Sequence, residues 1–305
     1  MLTAMIAPEV RKVFRDQYSP FKGMIASRLA DSLEPQFPAF KAMLAPELPK
    51  PFTRQYSPFK GIVASRLADV LEQQQAALHA ATRALAEGVR LTYPPNIRNI
   101  EGLSLEQVDA VVMGDGIPLF GVPRSNIARS LLHARDAAAR RAIIGRRWQE
   151  LTDDCDVFLA QGVVPELDSD RSFARRAVRA LRDGHSDAAQ ALAANLLDTI
   201  LRKHFALDRV VLVPSNRVKT PVGYEDFIVR KYVAVAPVWS AYQRYDPQGL
   251  DGIPRRFARH ASAHAVSRAQ FSRRNAVQAA MLVSSLLGYL DDQRTGWQYS
   301  RGHTG

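Results

Sequence analysis

The chain has 305 residues, is 47% hydrophobic and carries a formal charge of +11 with a pI near 10.0. That content suffices for one large core, or for a core plus a smaller appendage, and the charge favours acidic partners, nucleic acid before anionic membrane. The single cysteine, Cys155, excludes an intrachain disulfide and a cysteine-built metal cage, and it reads as a small buried apolar residue.

The opening MLTAMIAPEVRKVF is too short and too soon charged for a signal peptide, and no apolar run reaches about 18 residues. A cytoplasmic protein that does not enter a membrane is therefore expected. Residues 4–34 and 42–72 form an internal repeat with an offset of 38, identical at 22 of 31 positions. In each copy a Ser-Pro pair opens a helix, Ser19–Pro20 and Ser57–Pro58, because Ser caps well and Pro loses nothing at the first helical position. Phe21, Met24, Ile25 and Leu29 then recur at helical spacing, as do Phe59, Ile62, Val63 and Leu67. Two copies are too few for a solenoid. The repeat reads as one docking helix duplicated; the other reading is a module that grips a partner. Residues 1–95 are taken as this helical appendage, ending at Pro94–Pro95.

Beyond it the pattern stays helical. A short helix over 104–112 opens on a Ser104/Gln107 capping box, and GDGIPLFGVPRS is a turn-rich connector whose spacing matches no phosphate loop. Helices are expected at 125–133, 134–160, 171–183, 186–206 and 268–291. Another is expected from Glu225 to Tyr245, kinked or interrupted at Pro237. The run at 209–214 reads as an extended piece, and 292–305 as a flexible tail. The fold class is mainly α, with a helical domain over 96–291.

The chemistry concentrates near the start of the last helix. From Gly252 to Leu290 there are six arginines and two histidines and no acidic residue. Guanidinium holds phosphate bidentately and imidazole moves protons near neutral pH, so such a cluster suits a phosphodiester. His260 and His264, four apart, share a helix face. Arg259 and His264, five apart, diverge by about 140° and roughly 7.5 Å along a regular helix. To meet one phosphate they need an irregular helix start or a site shared between two chains. No carboxylate in the segment neutralises Arg259, and HASAH lacks the glutamate of a metalloprotease, so no metal is expected. Two further groups, Arg171 to Arg182 and Arg140 to Arg147, read either as solvated faces or as a surface for nucleic acid. Asp153–Asp154 and Asp291–Asp292 read as surface or terminal charge, and Trp148, Trp239, Phe227, Tyr232, Tyr242 and Tyr245 as core or interface aromatics.

The phrase FARHASAHAVSRAQFSRRNAVQAAMLVSSLL resembles the C-terminal motif of the HEPN superfamily, in which an Arg, then usually Asn, Asp or His, leads to a His after four to six residues. It is especially similar to abortive-infection-like members, and the PPN…GIPL…GVPR…RRW stretch from Pro94 to Trp148 resembles actinobacterial proteins of the same type. The likeness does not reach the N-terminal repeat. It implies a HEPN-like helical bundle that forms a homodimer with two motifs facing each other, and metal-independent RNA cleavage without a cofactor. It implies Arg259 and His264 as the catalytic pair, with His260 at the polar position after the Arg. One departure is Ala265, where a Gly often follows the His. Arg255, Arg256, Arg273, Arg274 and Asn275 are expected to hold the RNA.

The function expected is therefore an endoribonuclease, a toxin or phage-defence effector that a partner protein neutralises. The alternative is a non-catalytic helical module that binds RNA or protein.

Overall fold

The computed structural model describes residues 88, 90–215, 219–224, 227–246, 252–264 and 266–295. The chain divides into two compact units, Met1–Leu91 and Thr92–Gly305. The duplicated segment and the tail expected over 296–305 lie outside the described residues. The second unit is mainly helical, and no strand occurs among the described residues. None of its described helices is long and apolar enough to cross a membrane.

Pro95 opens the short α1, Pro95–Arg98, at a position where its missing N–H costs nothing. Ser104 caps α2, Leu105–Asp109: its hydroxyl accepts from the Gln107 N–H at 3.2 Å, and the Gln107 carboxamide accepts from the Ser104 N–H at 3.0 Å. This capping box is as expected. The helix continues as a π-helical turn, Ala110–Gly114. The turn-rich connector after it is pinned from both sides. Asn96 donates to the carbonyls of Leu119 and Pro123 (3.1 and 2.8 Å) and accepts from the Gly121 N–H at 3.1 Å. Gln278 donates to the carbonyls of Asp115 and Gly116 at 2.9 and 2.7 Å.

After α3, Ser125–Leu132, the single helix expected over 134–160 is two helices, α4 (Ala137–Arg146) and α5 (Trp148–Ala160). The break falls at Arg147 (φ −104°, ψ 24°), two residues after Gly145 in the last turn of α4. Helix α6, Asp168–Arg182, has Asp168 and Asp170 in its first turn and Arg179 and Arg182 in its last, matching the helix dipole. It buries Ala174, Ala177, Val178 and Leu181. Helix α7, Ser186–His204, follows. The run expected to be extended at 209–214 is instead a helical turn, α8 (Arg209–Leu212), with the Asp208 carbonyl accepting from the N–H groups of Val211 and Leu212. Helix α9, Val229–Ala241, holds Pro237 within one helical span. Nearly every residue of α9 is buried, so packing outweighs the one backbone hydrogen bond that Pro237 cannot make. Helix α10 is Arg259–His264, and α11, Arg273–Arg294, is capped by the Ser272 hydroxyl.

Helices α5, α6 and α7 all pack against α11, whose buried face runs from Asn275 to Asp292. Two buried ion pairs lock the far end of α11. One oxygen of Asp291 accepts from the N–H groups of Val163 and Val164 (3.0 and 2.8 Å) and from Arg171 at 2.8 Å. Asp292 takes the Arg230 guanidinium bidentately at 2.8 and 2.8 Å. The reading of Asp291 and Asp292 as terminal surface charge is thus corrected: their side chains are only 5% and 7% exposed. Arg171 likewise leaves the expected basic stripe for the interior, and Arg175 and Arg182 pair with Asp156 and Asp153. Cys155 is buried, and burial pushes its thiol up to about 12.

Candidate functional site

A network of amides positions the motif. Gln270, fully buried, accepts from the Ala258 N–H at 3.0 Å and donates to the carbonyls of Pro254 and Arg256 at 2.9 and 3.1 Å. Gln190 of α7 donates to the Ser262 hydroxyl at 2.9 Å and to the Gln270 carbonyl at 3.1 Å. Asn275 donates to the same carbonyl at 2.7 Å and accepts from Arg141 at 3.3 Å. Each of these amides satisfies main-chain groups that would otherwise be buried unpaired, which fixes the irregular approach to α10. Asn275 was expected to contact RNA. It is fully buried, so it cannot present its amide to a ligand and serves the scaffold instead.

Helix α10 rests on α7 through the fully buried Ala261. It is regular from its first residue, with the Ser262 N–H bonded to the Ala258 carbonyl at 2.9 Å. The irregular start that would aim Arg259 and His264 at one point in a single chain is therefore not found. The two imidazoles do share a face: His260 and His264 stack with ring centroids 6.0 Å apart and planes 22° apart. His264 is exposed and His260 half-buried. The Tyr242 ring meets His260 edge-on at 6.0 Å.

Arg259 has a neighbour that the local sequence hides. Asp198 of α7 lies 3.7 Å from its guanidinium, and the Tyr242 ring lies 6.0 Å away. The expectation that no carboxylate neutralises Arg259 holds only along the chain, not in space. Asp198 also accepts from Arg202 at 2.7 Å and from the Tyr242 hydroxyl at 3.0 Å, and Arg209 approaches it at 3.5 Å. Three guanidiniums thus surround one carboxylate, leaving a net charge of +2 for these four groups. Burial alone raises the Asp198 carboxyl. Hydrogen bonds from Arg202 and Tyr242, with the charges of Arg259 and Arg202, outweigh it and hold the group below the ordinary carboxylate value. Burial lowers His260, aided by the positive charge of Arg259 and by His264 and Arg244, against a smaller opposing pull from Asp198. Its neutral form is thereby favoured.

Asp198, Arg202, Arg209 and Tyr242 were not picked out by sequence reasoning as site residues. Asp198 and Arg202 carry only the i, i+4 spacing of an ordinary helix pair, and Tyr242 reads as a core aromatic. Among the remaining expected residues, Arg255, Arg273 and Arg274 are exposed, and Arg256 donates to the Gly114 carbonyl at 3.1 Å. Arg273 lies over the Trp148 ring at 4.8 Å. A cavity of about 180 Å³ is lined by residues including Phe158, Arg171, Arg230, Asp291 and Asp292, and no motif residue borders it. Its guanidiniums are already neutralised by the two buried carboxylates, so phosphate chemistry is not assigned to it. No family model, no curated protein and no solved structure matches the chain.

Proposed function

We propose that this protein is a metal-independent endoribonuclease of HEPN type, working in the cytoplasm as a homodimer. The observation that carries the reading is the stacked His260–His264 pair on the same short helix as Arg259, within a cluster of guanidiniums. Cleavage without a metal needs a base for the 2′-hydroxyl proton, an acid for the departing 5′-oxygen and a cation for the charge on the phosphorane. His260, kept neutral by its surroundings, suits the base. The 2′-oxygen then bonds to phosphorus, the bond from phosphorus to the 5′-oxygen breaks, and His264 in its protonated form supplies the proton to that oxygen. The products are a 2′,3′-cyclic phosphate and a 5′-hydroxyl. Arg259 offsets the phosphorane charge. Since α10 is regular, Arg259 and His264 of one chain diverge, and pairing two copies supplies the converging set. A toxin or phage-defence role, with a partner protein that restrains it, completes the proposal.

The test is incubation of the full chain with total RNA, with and without chelator. Chelator-insensitive cleavage that is lost in both Arg259→Ala and His264→Ala proteins supports the proposal. Full cleavage by both variants removes these residues from the chemistry. The rival reading, a module that binds RNA or protein without cutting it, draws on the ion pair that engages Arg259 with Asp198. Binding of RNA without any cleavage favours that rival.

A further inference from the structure

Among the described residues, Arg124, Arg140, Arg147, Arg175, Arg182 and Arg230 each pair with a carboxylate. The corner where α4 meets the start of α11 differs. Among the described residues, no carboxylate lies within ion-pair distance of Arg141, Arg255, Arg273 or Arg274, and Asp115, whose charge acts on Arg141, is paired with Arg140. Yet Arg141 and Arg274 meet on α4, and Arg255 is close enough to oppose the charge of Arg141. Arg141 donates to Asn275, one residue beyond Arg274. Arg274 crosses α4 at Gly145, one turn on from Arg141, so closely that a β-carbon at Gly145 would lie 2.7 Å from its Nε. Arg141 is half-buried, and its desolvated charge is opposed by both Arg274 and Arg255. Cations drawn together and left without counter-charge cost free energy that an anion would offset.

We propose that Arg141, Arg255 and Arg274 form a docking site for phosphate groups of a single-stranded nucleic-acid backbone, flanked by the Trp148 ring beneath Arg273. The site rests on the RNA reading for its choice of ligand, but not on the cleavage chemistry. Guanidinium forks match phosphate oxygens in pairs, and the Trp148 indole under Arg273 is partly exposed, as a ring that stacks on a base must be. An anionic membrane is the less suitable partner. A membrane-surface helix sets apolar side chains beside its cations; none of the large apolar side chains exposed among the described residues lies on α4 or α11, and Ile253, two residues before Arg255, is the exposed one nearest to the site in sequence.

The experiment is fluorescence anisotropy of the full chain with a 2′-O-methyl oligonucleotide of about 20 nucleotides, across a salt series. This probe cannot be cleaved, so a protein that cuts no RNA can still pass. The Arg141→Gln/Arg255→Gln/Arg274→Gln variant is expected to bind at least about tenfold more weakly at moderate salt. Its log–log salt slope should shrink by about 2, from about 0.7 per lost contact. The Arg255→Gln/Arg274→Gln variant changes two exposed positions only, so it keeps the test open should loss of Arg141 impair folding; its slope should shrink by about 1.4. Arg129→Gln/Arg176→Gln/Arg179→Gln removes equal charge elsewhere and should leave the slope nearly unchanged. Equal losses in the two triple variants would overturn the proposal, as would unchanged binding by the double variant. Tighter binding of wild type to phosphatidylglycerol vesicles than to the oligonucleotide, abolished by the same substitutions, would overturn it in favour of a membrane.

Discussion

Replacing Asp291 by Ala tests the buried end of the last helix. Its carboxylate is only 5% exposed and accepts from two backbone N–H groups and from Arg171, itself 8% exposed. Removing one partner of a buried ion pair costs about 3–5 kcal/mol. Arg171 retains the Val164 carbonyl and Asp168, which pulls the cost towards the low end. The orphaned N–H groups of Val163 and Val164 push it back up, at about 1 kcal/mol or more each. A loss of roughly 4 kcal/mol follows. For a unit of about 200 residues each kcal/mol moves the Tm by about 2–4 °C, so the midpoint should fall by roughly 12 °C. Differential scanning fluorimetry and urea titration read this directly. Asp291→Asn, which keeps an acceptor oxygen but not the charge, should fall between wild type and Asp291→Ala. A drop under about 3 °C for Asp291→Ala would mean that the carboxylate behaves as an exposed charge, and the burial reasoning would be wrong.

Gly288→Ala lies in the interior of α11, where Ala is ordinarily better by about 1 kcal/mol. Here the added methyl would lie 2.2 Å from the Phe158 ring, so the sign reverses to a loss of about 1–3 kcal/mol, recovered in part by Phe158→Leu; a stabilised Gly288→Ala protein contradicts this. Cys155, its thiol pushed up to about 12, should react with a disulfide reagent at pH 8 only as fast as the protein opens. Reaction at the rate of a free thiol would refute the packing of α5. For His260 the folded value lies below the ordinary imidazole value of about 6.5, so the unfolded chain takes up the proton first. Its stability contribution is full above about pH 6.5 and is lost as pH falls from there towards the folded value. The same shift places the acid limb of the cleavage rate below about pH 6.5, and a midpoint above that value would remove His260 from the role of base.

The helical class was readable because apolar residues recur at helical spacing and caps such as Ser104 carry local chemistry. Cys155, read from its residue type as a small buried apolar side chain, and Trp239 and Tyr242, read as core or interface aromatics, are all buried. The break at Arg147 was not legible, since the only local signal is Gly145 two residues earlier, and a lone Gly within a helical pattern is often tolerated. The run after Asp208 has the β-branched look of a strand, yet Leu212 is buried and its carbonyl accepts from Tyr224 at 2.8 Å, so tertiary contacts override propensity. In the candidate site, the shared face of His260 and His264 follows from spacing alone. Asp198 does not, because it lies 61 residues before Arg259 (259 less 198) and only packing of α7 against α10 joins them. The amide side chains Asn275 and Gln278 among the apolar residues at the start of α11 were the available clue to the amide scaffold, since a buried amide needs partners.

The most direct measurement of the central claim uses a deoxy-oligonucleotide that contains a single ribonucleotide. Attack by a 2′-hydroxyl predicts one cut, 3′ to that residue, in the presence of chelator, leaving a 2′,3′-cyclic phosphate and a 5′-hydroxyl, with the cut absent from His264→Ala protein. Cleavage at deoxy linkages, or an equal cut by the His264→Ala protein, would contradict it.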